Sequence, residues 1–160
     1  LFLFGCNSLT SSKQITVDLK CPSVFLSSED VNFIYSEDEV ISLNNLSLKA
    51  SINNFVYNEN CQSIDDIVFY PLDILVILGQ IKSLSTDVEL PIYASLLDVD
   101  DSLIETQYFS IPANINYKEE FNSFKEMDVI YRLEIVTKNK LVDNIVIGFM
   151  LDSNKLKILN

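Results

Sequence analysis

The stretch IVFYPLDILVILGQIKSL, residues 67–84, decides the fold of this chain. It is the most apolar segment, and its side chains do not alternate with polar ones. A continuous apolar run of this kind fits either a buried helix or a fully covered strand on periodicity alone. Two features favour the strand. Pro71 would break a helix interior, and the run is rich in Ile and Val, whose β-branched side chains suit a pleated sheet. Residues 72–82 are therefore expected to form a central strand.

Outward from that strand, the neighbouring segments alternate as half-buried strands do. Leu46, Leu48, Ala50 and Ile52 share one face, with Ser47, Lys49 and Ser51 on the other. Phe55 and Tyr57 fall on the opposite face unless a bulge intervenes, and Asn53-Asn54 is the natural place for one. Further strands are expected at 15–19, at 88–99 with Pro91 marking an edge or kink, at 103–111, 128–137 and 145–151. Shorter ones are expected at 31–35 and 115–117. A hairpin turn joins 97 to 103 through Asp98 and Ser102. Residues 118–127 read as a polar linker with helical tendency. Asp152 or Ser153 can cap a last helical turn over 155–159. About eight short strands with turn signals between them, and almost no helix, point to an all-β, antiparallel two-sheet sandwich of immunoglobulin-like kind.

The chain has 160 residues, 48% of them hydrophobic, which suits one domain around one core. No apolar run approaches the roughly 20 residues of a membrane-spanning helix. The net charge is −12. That argues against nucleic acid as a partner, because affinity there comes largely from Lys and Arg neutralising phosphates. It also argues against adhesion to an anionic membrane by electrostatics.

The N-terminus carries a different signal. Residues 1–5 are apolar and run into Cys6 as Leu3-Phe4-Gly5-Cys6, followed by a small polar tract through Lys13. This reads as the end of a bacterial lipoprotein signal, with Cys6 as the lipidated residue. Residues 1–5 are then a signal-peptide remnant, 6–13 a lipidated cysteine with a flexible tether, and 14–160 the sandwich domain. An ordinary apolar edge strand is the plainer reading of the first four residues. If Cys6 carries lipid, Cys21 and Cys61 remain, and in an oxidising compartment they can pair. The alternative is a cytosolic domain with three reduced thiols.

Catalytic chemistry finds little support. The chain has no histidine, so Ser-His-Asp and Cys-His catalysis and histidine metal sites are excluded. Three scattered glycines make no phosphate loop, and nothing calls for a cofactor. Asp98, Asp100 and Asp101, or Asp65 and Asp66, could offer oxygens to Ca²⁺, although carboxylates so placed more often build turns. Seven tyrosines are spread over the strands and could stack on a sugar or meet a protein, but tyrosine in a strand is more often half-buried packing.

Several pieces together resemble a family of small uncharacterised lipoproteins of the alphaproteobacterial envelope. They are Cys21-Pro22-Ser23-Val24, Cys61, Leu90-Pro91-Ile92-Tyr93, the turn from Asp98 to Ser102, Phe109-Ser110-Ile111, Ile147-Gly148-Phe149-Met150-Leu151, and Leu156 to Asn160. In order and spacing they span nearly all of the chain after Cys6. The resemblance implies a lipid-anchored domain, a Cys21–Cys61 disulfide and no established activity. The family usually carries Asp-x-x-Gly at the hairpin, and Ser102 stands in place of its glycine, so a different turn geometry is expected here. Asn7 follows the lipidated cysteine, where Asp would retain a lipoprotein at the inner membrane. The sorting rule therefore points to the outer membrane, with the domain facing the periplasm. The expected function is a non-enzymatic structural or protein-interaction module of the envelope, partnered by the membrane through its lipid and by an envelope protein. A periplasmic glycan- or peptide-binding module is the alternative.

Overall fold

The computed structural model describes residues 13–113, 115, 122–138 and 141–160. Cys6, the tether up to Ser12 and the stretch 116–121 lie outside these. The described chain forms ten strands and one helix: β1 (Thr16–Leu19), β2 (Ser23–Leu26), β3 (Asn32–Tyr35), β4 (Leu48–Tyr57), β5 (Cys61–Ile64), β6 (Ile67–Gln80), β7 (Glu89–Leu97), β8 (Leu103–Pro112), β9 (Lys125–Thr137), β10 (Asn144–Phe149) and α1 (Ser153–Leu159).

The segment 67–84 is a strand, and a longer one than expected. β6 pairs along one whole edge with β9, from Val68↔Thr137 to Gln80↔Lys125. Its other edge is shared. β5 takes Ile67 to Phe69 and β4 takes Leu72 to Gln80. Pro71 lies in the gap between these two partners, so the helix-breaking residue sits where that edge has no ladder to interrupt. β1 adds to β5 and β3 to β4, completing a six-stranded sheet A. Sheet B runs β2-β10-β7-β8, antiparallel apart from the β2–β10 pair.

The two sheets close on one core. Leu72, Ile74, Val76 and Leu78 of β6 face Leu90, Ile92, Leu96 and Ile147 of sheet B, all fully buried. The architecture is the expected all-β sandwich, with ten strands rather than about eight. The strand order is its own, because the last strand, β10, inserts between β2 and β7. At one side the edges meet through Gln107, whose Nε2 donates to the Val136 carbonyl at 2.8 Å. At the other, the Phe33 and Phe149 rings approach to 5.5 Å.

The bulge falls where Asn53-Asn54 suggested: the β4–β6 register shifts between Ile52 and Asn54. The extra residue turns Phe55 and Tyr57 back to the core face, opposite Ile74 and Leu72. Four other expectations need correction. Residues 125–127 belong to β9, not to a polar linker, because β6 offers ladder partners as far as Gln80. Pro91 lies in an interior strand, but one step beyond the last β10 register partner, Phe149↔Ile92. At the hairpin the left-handed residue is Asp101, φ 60°, not Ser102. Counted from Asp98, an Asp-x-x-Gly turn places its glycine at 101. Aspartate tolerates that conformation better than most residues. Ile115 is not in a strand, and the remainder of that expected short strand is outside the described residues. Asp152 is the cap of α1, its Oδ1 accepting from the N–H groups of Asn154 and Lys155.

Gly148 marks a close approach on sheet B. A Cβ there would lie 2.7 Å from the Tyr93 hydroxyl and 2.8 Å from the Asp30 Cβ. The Tyr93 hydroxyl donates to Asp30 Oδ2 at 2.7 Å, tying the β2–β3 connection down onto β7. Gly148→Ala is expected to displace the Tyr93 ring and lose this bond, lowering stability by about 1–3 kcal/mol. Urea unfolding checks it, and Tyr93→Phe alone should reproduce only the part of the loss due to the Tyr93–Asp30 bond.

Candidate functional site

In an antiparallel sheet with one face on the core, the other face is normally polar. The outer face of sheet B is mixed, its hydrogen-bonded pairs Ser95–Thr106 and Glu89–Ser110 standing beside Phe25 and Tyr108, 53% and 65% exposed. The outer face of sheet A is apolar along its central strand. Alternation in β6 turns Phe69, Pro71, Leu75 and Ile77 outward, and all are only half-buried. Beside them, Val56 of β4 is 50% exposed and Ile130 of β9 68% exposed. Because β6 lies between two flanking strands, its outward side chains are recessed. They floor two shallow depressions, of about 340 Å³ and 190 Å³. Ile77, Gly79 and Phe124 line the first; Val56, Leu75 and Ile130 line the second.

One polar cluster crosses this face. Asp73 is 6% exposed, in the middle of β6. Arg132, its register partner on β9, donates from Nε to Oδ1 and from Nη2 to Oδ2, and Asn58 Nδ2 also donates to Oδ2. Arg132 reaches Glu59 at 3.3 Å as well. The Arg132 hydrogen bond is the main cause holding the Asp73 carboxyl below its ordinary pKa, with Asn58 adding to it against the cost of desolvation. Arg132 is held further toward its charged form by Asp73 and Glu59. A carboxylate so engaged is the ion-pair partner of Arg132, with three of its about four lone-pair sites taken by donors.

β9 gives the face its sign. Glu126, Asp128 and Glu134 alternate with Ile130 and Arg132 on the outward side, all three exposed. On the β4 side the outward residues are Lys49, Ser51, Asn54 and Val56. With Arg132 neutralised, carboxylates dominate one flank.

The other expected residues are dispersed. Cys21 and Cys61 form a disulfide, S–S 2.06 Å, with Cys61 fully buried at the start of β5. It ties the crossing from β1 in sheet A to β2 in sheet B onto the sheet A edge. Asp98 uses its Oδ1 to accept from the N–H groups of Asp100 and Ser102, so its turn is built by that carboxylate. Asp65, φ 54°, forms a two-residue hairpin with Asp66. Of the tyrosines, Tyr70 and Tyr131 are buried, and burial pushes the Tyr131 hydroxyl up to about 12. Tyr108 is 65% exposed and pairs in register with Tyr93 on sheet B. Among the described residues no helix is long and apolar enough to cross a membrane.

The apolar outer face of sheet A was not foreseen from the sequence. Its signal was present in the same segment that decides the fold. An antiparallel strand with one wet face should alternate, and residues 67–78 do not.

No family model matches the chain, and neither a curated protein nor a solved structure matches it.

Proposed function

We propose that this chain is a non-enzymatic interaction module of the cell envelope, carried on a lipid at Cys6 and presenting the outer face of sheet A to a protein partner. The observation that carries the reading is that face: an apolar strip of Leu75, Ile77, Val56 and Ile130 where an antiparallel sheet normally shows polar residues. The tether rests on Leu3-Phe4-Gly5-Cys6 and on the resemblance to envelope lipoproteins, which also favours the outer membrane and the periplasmic side. The disulfide at Cys21 supports it, because such bonds persist in oxidising compartments.

Two measurements test the two halves. Metabolic labelling with a clickable fatty acid should mark the wild type and not Cys6→Ala; absent label, or label surviving Cys6→Ala, overturns the tether. Ile130→Asp changes an exposed side chain and leaves the core intact. Envelope proteins that co-purify with the wild type should be lost from this variant, and unchanged co-purification overturns the choice of face. The alternative glycan- or peptide-binding reading would centre on Tyr108, so Tyr108→Ala should leave partner recovery unchanged.

A further inference from the structure

We infer that one end of the sandwich, the end from which Lys13 leads back toward Cys6, seats on the lipid surface that holds the acyl chain; this rests on the tether in the reading above. Several elements meet at that end. β1 begins there, with Thr16 opposite Ile64 and the Asp65 N–H donating to the Ile15 carbonyl at 3.1 Å. β6 begins and β9 ends there, Val68 standing opposite Thr137. The Thr137 hydroxyl donates to Glu105, which brings the β7–β8 turn to the same end. Asn144 Nδ2 donates to Asp101 at 2.8 Å, which joins the start of β10 to that turn.

These elements leave aliphatic side chains in water. Ile15, Val17, Ile67, Val99, Leu103 and Leu141 are all exposed, Val99 at 75% and Leu141 at 76%. Turns are normally built from Gly, Pro, Asn, Asp and Ser, and exposed apolar side chains gathered in one place mark a contact with a protein or a membrane. Reach selects the membrane. Ile15 lies nine residues on from Cys6, at most about 32 Å in a fully extended chain. β6, Ile67–Gln80, runs about 45 Å from this end to the other. The exposed Val40 and Leu43 stand at that opposite end, past the pairing of Leu48 with Gln80. A lipid on Cys6 therefore cannot stand the sandwich on Val40 and Leu43, and it holds the Ile15 end close to the bilayer. Seated so, the outer face of sheet A rises clear of the lipid for its protein partner.

Charge decides the mode of contact. Exposed Asp65, Asp66, Asp100 and Asp143 stand among these aliphatic side chains, against Lys13 and Lys138. Anionic headgroups are repelled by such an end. The attraction comes instead from burying the aliphatic side chains at the boundary between headgroups and acyl chains.

The test uses the lipidated, disulfide-bonded chain on phosphatidylcholine vesicles whose acyl chains carry a nitroxide. A fluorophore is attached through Val99→Cys, Leu141→Cys or, at the opposite end, Val40→Cys. Quenching is expected at 99 and 141 and not at 40. Leu103→Asp with Leu141→Asp should abolish quenching at 99 while the chain still floats with the vesicles. Replacing part of the phosphatidylcholine by phosphatidylglycerol should lower quenching at 99. Equal quenching at 99 and 40, or quenching that survives the double variant, overturns the proposal. Stronger quenching with phosphatidylglycerol also overturns it, by making the contact electrostatic. Sedimentation showing that the Cys6→Ala chain self-associates, and that the double variant does not, would assign this end to a second copy instead. A chain that floats without quenching at 99 keeps the tether and rejects the seating. A wild-type chain that does not float rejects the tether as well.

Discussion

Replacing Cys21 and Cys61 together by alanine is expected to lower the unfolding free energy by about 4 kcal/mol. The bond closes a loop with a sequence separation of 40, and in the loop-entropy picture a closure of that length constrains the unfolded chain by about that much. For a domain with about 5–15 kcal/mol in total, this is a large share. The folded side adds to it. β1 is a four-residue strand held to sheet A by pairing with β5, and three of its four residues are exposed. Without the bond, the segment from β1 to the start of β2 has few buried side chains to hold it. Urea unfolding of the double variant should match that of the wild type in strong reductant. A loss below about 1 kcal/mol would show that strand pairing alone holds the N-terminal segment.

The second large effect concerns the charge buried in β6. Asp73→Ala removes the acceptor of two charge-assisted bonds from Arg132 and one bond from Asn58. Arg132 stays half-exposed and can turn to water, so the loss is expected at about 2–3 kcal/mol near neutral pH. Its pH dependence follows from the lowered pKa. The folded state favours ionised Asp73 more than the unfolded chain does. The contribution is therefore complete above the unfolded carboxylate value of about 4 and fades as pH falls through the lower folded value. Wild type and Asp73→Asn should thus differ clearly at pH 7 and converge only as pH falls below the lowered folded value. Parallel curves across that range would show that Asp73 does not titrate with folding.

Much of the sandwich was legible because each strand carries its own local pattern. Alternation at Leu48, Ala50 and Ile52 fixed a face, and Asn53-Asn54 offered a place for the bulge that the structure contains. Pro71 and the branched residues resolved the helix–strand ambiguity of the central run correctly. What local pattern could not carry was partnership. That β6 shares one edge between β4 and β5, and that β10 inserts beside β2 in parallel, depend on contacts far apart in sequence. The length of β9 has the same origin, since Lys125 to Met127 become strand only against Leu78 to Gln80.

The candidate site was legible in fragments. The disulfide cysteines were singled out correctly, and the resemblance supplied their pairing. Asp73 was not singled out in the apolar run, and its cluster is built from two other parts of the chain, Asn58-Glu59 and Arg132. The outer face was hidden for a related reason. Continuous hydrophobicity in 67–78 suggests cover on both sides, and only the layering shows that the described residues leave one side open.

The central claim is that this outer face is where the tethered domain meets its partner. A photoreactive residue placed at position 130, compared with one at position 108 on sheet B, tests it in intact cells carrying the lipidated chain. A discrete crosslinked species is expected from 130 and none from 108. Equal crosslinking from both positions, or none from 130, would contradict the account.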